Sequence, residues 1–156
     1  MNLTVDVQVA SDGDDNPDAD SIRSWLESVL ADRFEPDQAV EVCVRIVSEV
    51  ESQTLNKQYR GKDSPTNVLS FPSELPADIP ERHLGDIVIC EAIVKQEALE
   101  QGKQERAHWA HMVVHGALHL LGYDHIDDDE ADIMESLETT ILTNLLFPPP
   151  YQQQSQ

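Results

Sequence analysis

The sequence predicts a small α/β sandwich in one domain, about four strands with helices packed on them. Three observations carry this reading. Four short runs, LTVDVQV, AVEVCVRIV, VLSF and LGDIVIC, have the length and apolar character of strands, and the first alternates apolar and polar residues as a half-buried strand does. Around them apolar residues recur at helical spacing, behind Ser or Asp caps and ahead of Gly stops. The chain of 156 residues is long enough for one proper core and short for two domains.

Taken in order, LTVDVQV is the first strand, and the acidic stretch SDGDDNPDADS after it reads as a solvated loop. Asp18 or Asp20 caps a helix whose apolar positions are Ile22, Trp25, Leu26, Val29 and Leu30, with Pro36 ending it. AVEVCVRIV is the second strand, and Ser48 begins the short helix SEVESQTLNKQYR. Gly61 and Pro65 bracket a turn before VLSF. SELPADIPERH, with two prolines, reads as a loop, and LGDIVIC is the fourth strand. EAIVKQEALEQG is a helix closed by Gly102, and ERAHWAHMVVHGALHLLG is another, closed by Gly122 in a left-handed conformation. The last helix begins at a cap on Asp127 or Asp128 and keeps Ile133, Leu137, Ile141 and Leu145 on one face. The domain spans residues 1–146; FPPPYQQQSQ, residues 147–156, is expected to be a frayed tail outside the core.

Charge limits what such a chain can do. Thirty acidic residues against 10 basic ones give a net charge of −20, so broad attraction to nucleic-acid phosphates is excluded. Any chemistry on nucleic acid must then rest on a local cation cluster, a metal, or a partner that presents the substrate. No apolar run approaches the ~20 residues a membrane span needs. The N-terminus lacks the basic and apolar regions of a secretory signal, which points to the cytoplasm. Cys43 and Cys90 sit in strand-like runs without a CxxC pair, and read as buried free thiols.

Histidine is the scarce residue that clusters. HGALHLLGYDH holds three of the six in the chain. His108, His111, His115 and His119 are three, four and four residues apart, so all project from one face of the expected helix, while Trp109, Val113, Ala117 and Leu120 can serve as core. His115 and His119 stand at i and i+4, the spacing by which zincin-type helices hold zinc with two imidazoles. The turn at Gly122 lets His125 return as a third ligand. Three protein ligands and an open fourth position are the pattern of a catalytic zinc, which lowers the pKa of bound water toward ~7. Three imidazoles also suit nickel or another late transition metal. Asp124 is read as orienting a histidine, with a fourth or substitute ligand as the alternative, His111 as a supporting or substrate-facing group, and His108 as a surface residue. In HExxH peptidases the residue after the first histidine is the glutamate base; here it is Gly116, which argues against a peptidase.

The cation comes from LNKQYRGKDSPTNVLSFP, where Lys57, Arg60 and Lys62 lie within six positions. On an otherwise acidic chain this is the best seat for a phosphate, and the planar guanidinium of Arg60 is the group chosen to clamp an oxyanion. Ser70 and Phe71 end the VLSF strand and are placed along the cleft, where an edge strand can align an extended substrate.

These stretches carry a resemblance. HGALHLLGYDH resembles the signature of the YbeY family of bacterial metal-dependent endoribonucleases, and LNKQYRGKDSPTNVLSFP, LGDIVIC, HMVVHGALHLLGYDH and ADIMESLETTIL occur in that family's order over roughly residues 40 to 145. The resemblance implies an α+β fold with a mixed sheet, and zinc on His115, His119 and His125. It implies that Arg60 matches the arginine associated with activity. It also implies cleavage of single-stranded RNA in small-subunit ribosomal RNA maturation and ribosome quality control. The partners it implies are the small ribosomal subunit, one of its proteins, and an Era-type GTPase. Asn67 stands where many members have aspartate. Two other readings stay open: a zinc-dependent peptidase or amidase, and a non-catalytic ribosome-assembly factor in which zinc only ties the helix to its following turn.

Overall fold

The computed structural model describes residues 1–13, 15–73, 81–124 and 126–151. Four strands form one mixed sheet: β1 (Asn2–Val9), β2 (Ala39–Val47), β3 (Val68–Pro72) and β4 (Glu81–Cys90). Their spatial order is β1-β2-β4-β3; β1, β2 and β4 are parallel, and β3 joins the far edge antiparallel to β4. Helices α1 (Ala19–Leu30), α2 (Glu49–Arg60), α3 (Glu91–Gln101), α4 (Glu105–Leu120) and α5 (Asp128–Asn144) complete the fold. The expected α+β class with about four strands is what the chain forms.

Side-chain alternation decides which helix lies on which face. Val40, Val42, Val44 and Ile46 of β2 and Ile87 and Ile89 of β4 point to one side and are sealed there with residues of α1, α4 and α5 into the main core. Val47, Leu69, Val88 and Cys90 point to the other side and form a smaller cluster with Leu55 of α2, Phe71 and Ile93. Thus α4, the histidine helix, and α2, which ends in Arg60, sit on opposite faces of the sheet.

The helix ends obey the capping signals. Asp18, rather than Asp20, caps α1 by accepting from the Ser21 amide at 2.8 Å. Ser48 accepts from the Glu51 amide, and Asp127 from the Glu130 amide. Gly61, Gly102 and Gly122 take the positive φ that ends α2, α3 and α4.

Two expectations need correction. Residues Glu81 to His83, read as loop, begin β4, because pairing with β2 extends the strand beyond its apolar run; residues 74–80 of that stretch lie outside the described residues. On α5 the fully buried row is Met134, Glu138 and Leu142; of the expected face, Leu137, Ile141 and Leu145 pack against the core beside that row, while Ile133 is 55% exposed. The acidic loop is solvated as expected, its described aspartates exposed, and it is anchored at Glu91. That buried carboxylate accepts from Ser11 and Asn16 and pairs with Lys95 at 2.8 Å.

Gly116 shows how closely α4 lies on the sheet. A Cβ built there would sit 2.7 Å from Ile87 Cγ2 and 3.3 Å from Ser70 Oγ, and the Ser70 hydroxyl donates to the Gly116 carbonyl at 3.1 Å. A side chain at this position would have to displace Ile87.

Candidate metal centre and cleft

The four histidines of α4 form one row, with successive ring centroids 5.9, 6.3 and 4.6 Å apart. Their exposure rises along the helix. His108 and His111 are buried, whereas His115 and His119 are half-buried, at the end of the helix open to solvent. His108 is therefore not the surface residue its sequence position suggested. Its Nε2 lies 2.8 Å from Glu97 Oε1 on α3, and burial lowers its pKa. Asn67 completes this end by donating to the same Glu97 carboxylate at 3.2 Å, a contact that an aspartate would turn into a repulsion between carboxylates.

Midway along the row stands a residue the sequence reading missed. Glu138, on the inward face of α5 and fully buried, places Oε1 2.7 Å from His111 Nε2 and Oε2 2.7 Å from His115 Nδ1. Burial alone would raise its pKa, but the hydrogen bonds from His111 and His115 outweigh this and hold it down at about 2. An ionised carboxylate can only accept, so both imidazole nitrogens that face it donate. The remaining nitrogen of His115, Nε2, then carries a lone pair when the ring is neutral. It lies 3.1 Å from Nε2 of His119.

Two nitrogens bound to one tetrahedral zinc at ~2.0–2.1 Å are roughly 3.3 Å apart, so the His115–His119 pair has the spacing that such an ion requires. His111, His115 and Glu138 form a second group able to hold an ion, their donor atoms lying within 4.8 Å of one another. Its N···O separations of 2.7 Å are those of direct hydrogen bonds. His125, the third expected ligand, lies outside the described residues.

Arg60 is the last residue of α2, exposed and without a hydrogen bond or ion pair among the described residues. It does not touch the histidines. Edge strand β3 lies between them: Phe71 packs edge-on against Tyr59 at 5.0 Å, and Ser70 bonds to α4 from the opposite face. Lys57 is engaged with Asp63, so the local cation cluster is Arg60 with Lys62.

A cavity of about 1080 Å³ opens beside the histidine row, bounded by Glu97, Lys103, His108, His111 and Tyr151 among others. Lys103 is half-buried and unpaired among the described residues, and burial lowers its pKa. Among the described residues no helix is long and apolar enough to cross a membrane.

Comparison with known proteins places this geometry. Residues 8–146 match the family model described as Endoribonuclease YbeY. The fold is also similar to the solution structure of TM1509 from Thermotoga maritima, with 26% sequence identity and a TM-score of 0.56 over 94% of this chain and 99% of that one.

Proposed function

The chain belongs to the YbeY endoribonuclease family, and from that premise we propose that it cleaves single-stranded RNA during small-subunit ribosomal RNA maturation, using a metal held by His115, His119 and His125. The observation that carries the reading is the pair of Nε2 atoms 3.1 Å apart, one of them on a ring whose other nitrogen is bound to a buried carboxylate. Carboxylate–histidine pairs of this kind fix the tautomer and raise the basicity of a metal ligand. The donor set of neutral imidazoles suits zinc, with nickel as the nearest competitor. Zinc bound there supplies Lewis acidity to an attacking water and to the phosphoryl oxygen.

The rest falls to the chain's own side chains. Glu138 holds His115 in register, and Gly122, at φ 103°, ends α4. Arg60 offers guanidinium donors to charge growing on the phosphoryl oxygens. Because Arg60 and α4 flank β3 from opposite faces, a single strand drawn along the outer edge of β3 would pass both. That arrangement gives a −20 chain a way to engage RNA locally, and presentation of the strand by the small subunit, one of its proteins or an Era-type GTPase supplies the remainder. Family membership is what supports these partners, a role in ribosome quality control and a place in the cytoplasm.

The peptidase reading weakens further on packing grounds. A glutamate at position 116 would have to enter the space filled by Ile87, so the helix excludes the base of an HExxH peptidase sterically as well as chemically.

Metal analysis of the protein purified without added metal, joined to cleavage of a small-subunit RNA fragment, tests the proposal. His115→Ala is expected to lose both metal and cleavage. Arg60→Ala is expected to keep the metal and lose cleavage by roughly 10²-fold or more, the scale of one lost oxyanion donor. Undiminished cleavage by metal-free protein or by both variants would overturn it. Normal RNA maturation in cells carrying only the Arg60→Ala chain would favour the non-catalytic assembly factor instead.

A further inference from the structure

Residues 147–151, which the sequence assigns to a tail, turn back over the site. Leu146 takes φ 72°, among the described residues the sole non-glycine with positive φ. The Leu146 and Phe147 amides close onto the Thr143 and Leu142 carbonyls, each at 2.9 Å. This is the double closure that ends a helix and reverses the chain, with leucine where glycine is usual. Leu146 itself is 92% exposed, so burial of its own side chain does not drive the reversal. The next five residues do. Phe147 packs edge-on against Trp25, ring centroids 6.1 Å apart. Pro148, Pro149 and Pro150 form one side of the cavity, as a stiff spacer with little freedom to lose on ordering. Tyr151 then donates its phenol to Glu138 Oε1 at 2.5 Å, with its ring edge-on to His111 at 5.2 Å.

We propose that residues 146–151 are a strap that sets the metal centre, with Tyr151 acting through Glu138 as a positioning residue for His115. The inference rests on the reading that His115 Nε2 is a metal ligand. The two oxygens of Glu138 divide the work. Oε2 accepts from His115 Nδ1, while Oε1 takes His111 and Tyr151. Two donors on Oε1 stop the carboxylate from swivelling, so Oε2 stays on His115 and that ring keeps its Nε2 lone pair facing His119. The match to the family model ends at residue 146. The strap thus begins where that match ends and closes on a centre built within the matched region.

The test uses the full chain and two readouts that simple docking of a tail would not move. In the first, zinc affinity is measured by competition with a chromophoric chelator, without RNA. Tyr151→Phe is expected to weaken zinc three- to tenfold, with the unfolding midpoint of the metal-free chain nearly unchanged. Phe147→Ala, which unseats the strap but keeps the phenol, is expected to reproduce part of the loss. In the second, ¹⁵N spectra of the metal-free chain should show His115 as a single Nδ1–H tautomer, and as a mixture in Tyr151→Phe. Unchanged zinc affinity and an unchanged tautomer in Tyr151→Phe, while the parent chain binds zinc, would overturn the strap alone. A parent chain that takes up no zinc overturns the metal reading, and the strap with it.

Discussion

Two histidine–carboxylate pairs stand along one row, His108 with Glu97 and His115 with Glu138, at 2.8 and 2.7 Å. Their chemistry is the same and their surroundings are not. The far nitrogen of His108, Nδ1, is buried and meets no partner among the described residues, so the pair is a pin between α3 and α4. The far nitrogen of His115 faces His119 at the open end of the helix. Glu97 is partly exposed and serves one histidine, whereas Glu138 is buried and serves two histidines and a tyrosine. An identical contact is structural or functional according to what the other side of the ring meets.

The sharpest way to break this comparison is to neutralise each carboxylate. Glu138→Gln is expected to cost about 10–100-fold in zinc affinity, the usual effect of losing an orienting carboxylate, and Glu97→Gln less than about threefold. Equal losses in a chelator titration would erase the distinction. A pH series sharpens it next. Burial lowers the pKa of His108 and His111 in the folded chain, so their contribution to stability is complete above ~6.5, their unfolded value, and is lost as pH falls below it. Glu138, held down at about 2, adds stability that is present above ~4.5 and lost only as pH falls toward 2. Melting of the metal-free chain from pH 8 to pH 3 should therefore decline in two stages, and His108→Gln should flatten the first. A single decline confined below pH 4.5 would contradict the buried-histidine assignment.

A smaller effect is expected at Gly116, on which the open end of the row depends. Alanine gains about 1 kcal/mol of helix propensity but must displace Ile87, at a typical cost of about 1–3 kcal/mol. Ile87 is fully buried in a packed sheet, so the steric term wins, and chemical denaturation should show a net loss of about 1 kcal/mol. The smallest effect is a gain. Leu146→Gly relieves a left-handed leucine and should stabilise the chain by about 0.5–1 kcal/mol, since glycine's greater freedom when unfolded offsets part of the relief. A destabilised Leu146→Gly would mean that the leucine side chain does something its exposure hides.

The legible part of the sequence was the local part. Caps, glycine stops and strand runs depend on neighbouring residues, and the spacing of His115 and His119 places them together without any tertiary knowledge. Glu138 was not legible on those terms. It is one acidic residue among several on α5, and its burial depends on α4 packing against it. The available signal was weak: Met134, Glu138 and Leu142 are spaced i, i+4, i+8, so a carboxylate interrupts a row that is otherwise apolar. The choice of Ile133 and Leu137 as the inward face hid that row. His108 failed for a similar reason, since Glu97 lies on another helix. Sequence could not separate Asp18 from Asp20, because both are good caps and only the start of the helix distinguishes them.

The clearance at Gly116 also bears on how the protein breathes. With α4 drawn onto β3 and β4 until no methyl group fits between them, amides near residue 116 belong to the region that exchanges hydrogen with solvent only on global unfolding, and His115 rides on that rigid body. The strap is held by Phe147, three prolines and one phenol, and opens locally at far lower cost. Loosening of the strap would leave the helix folded, so the environment of the Trp25 indole, against which Phe147 packs, should report strap opening before any amide of α4 exchanges.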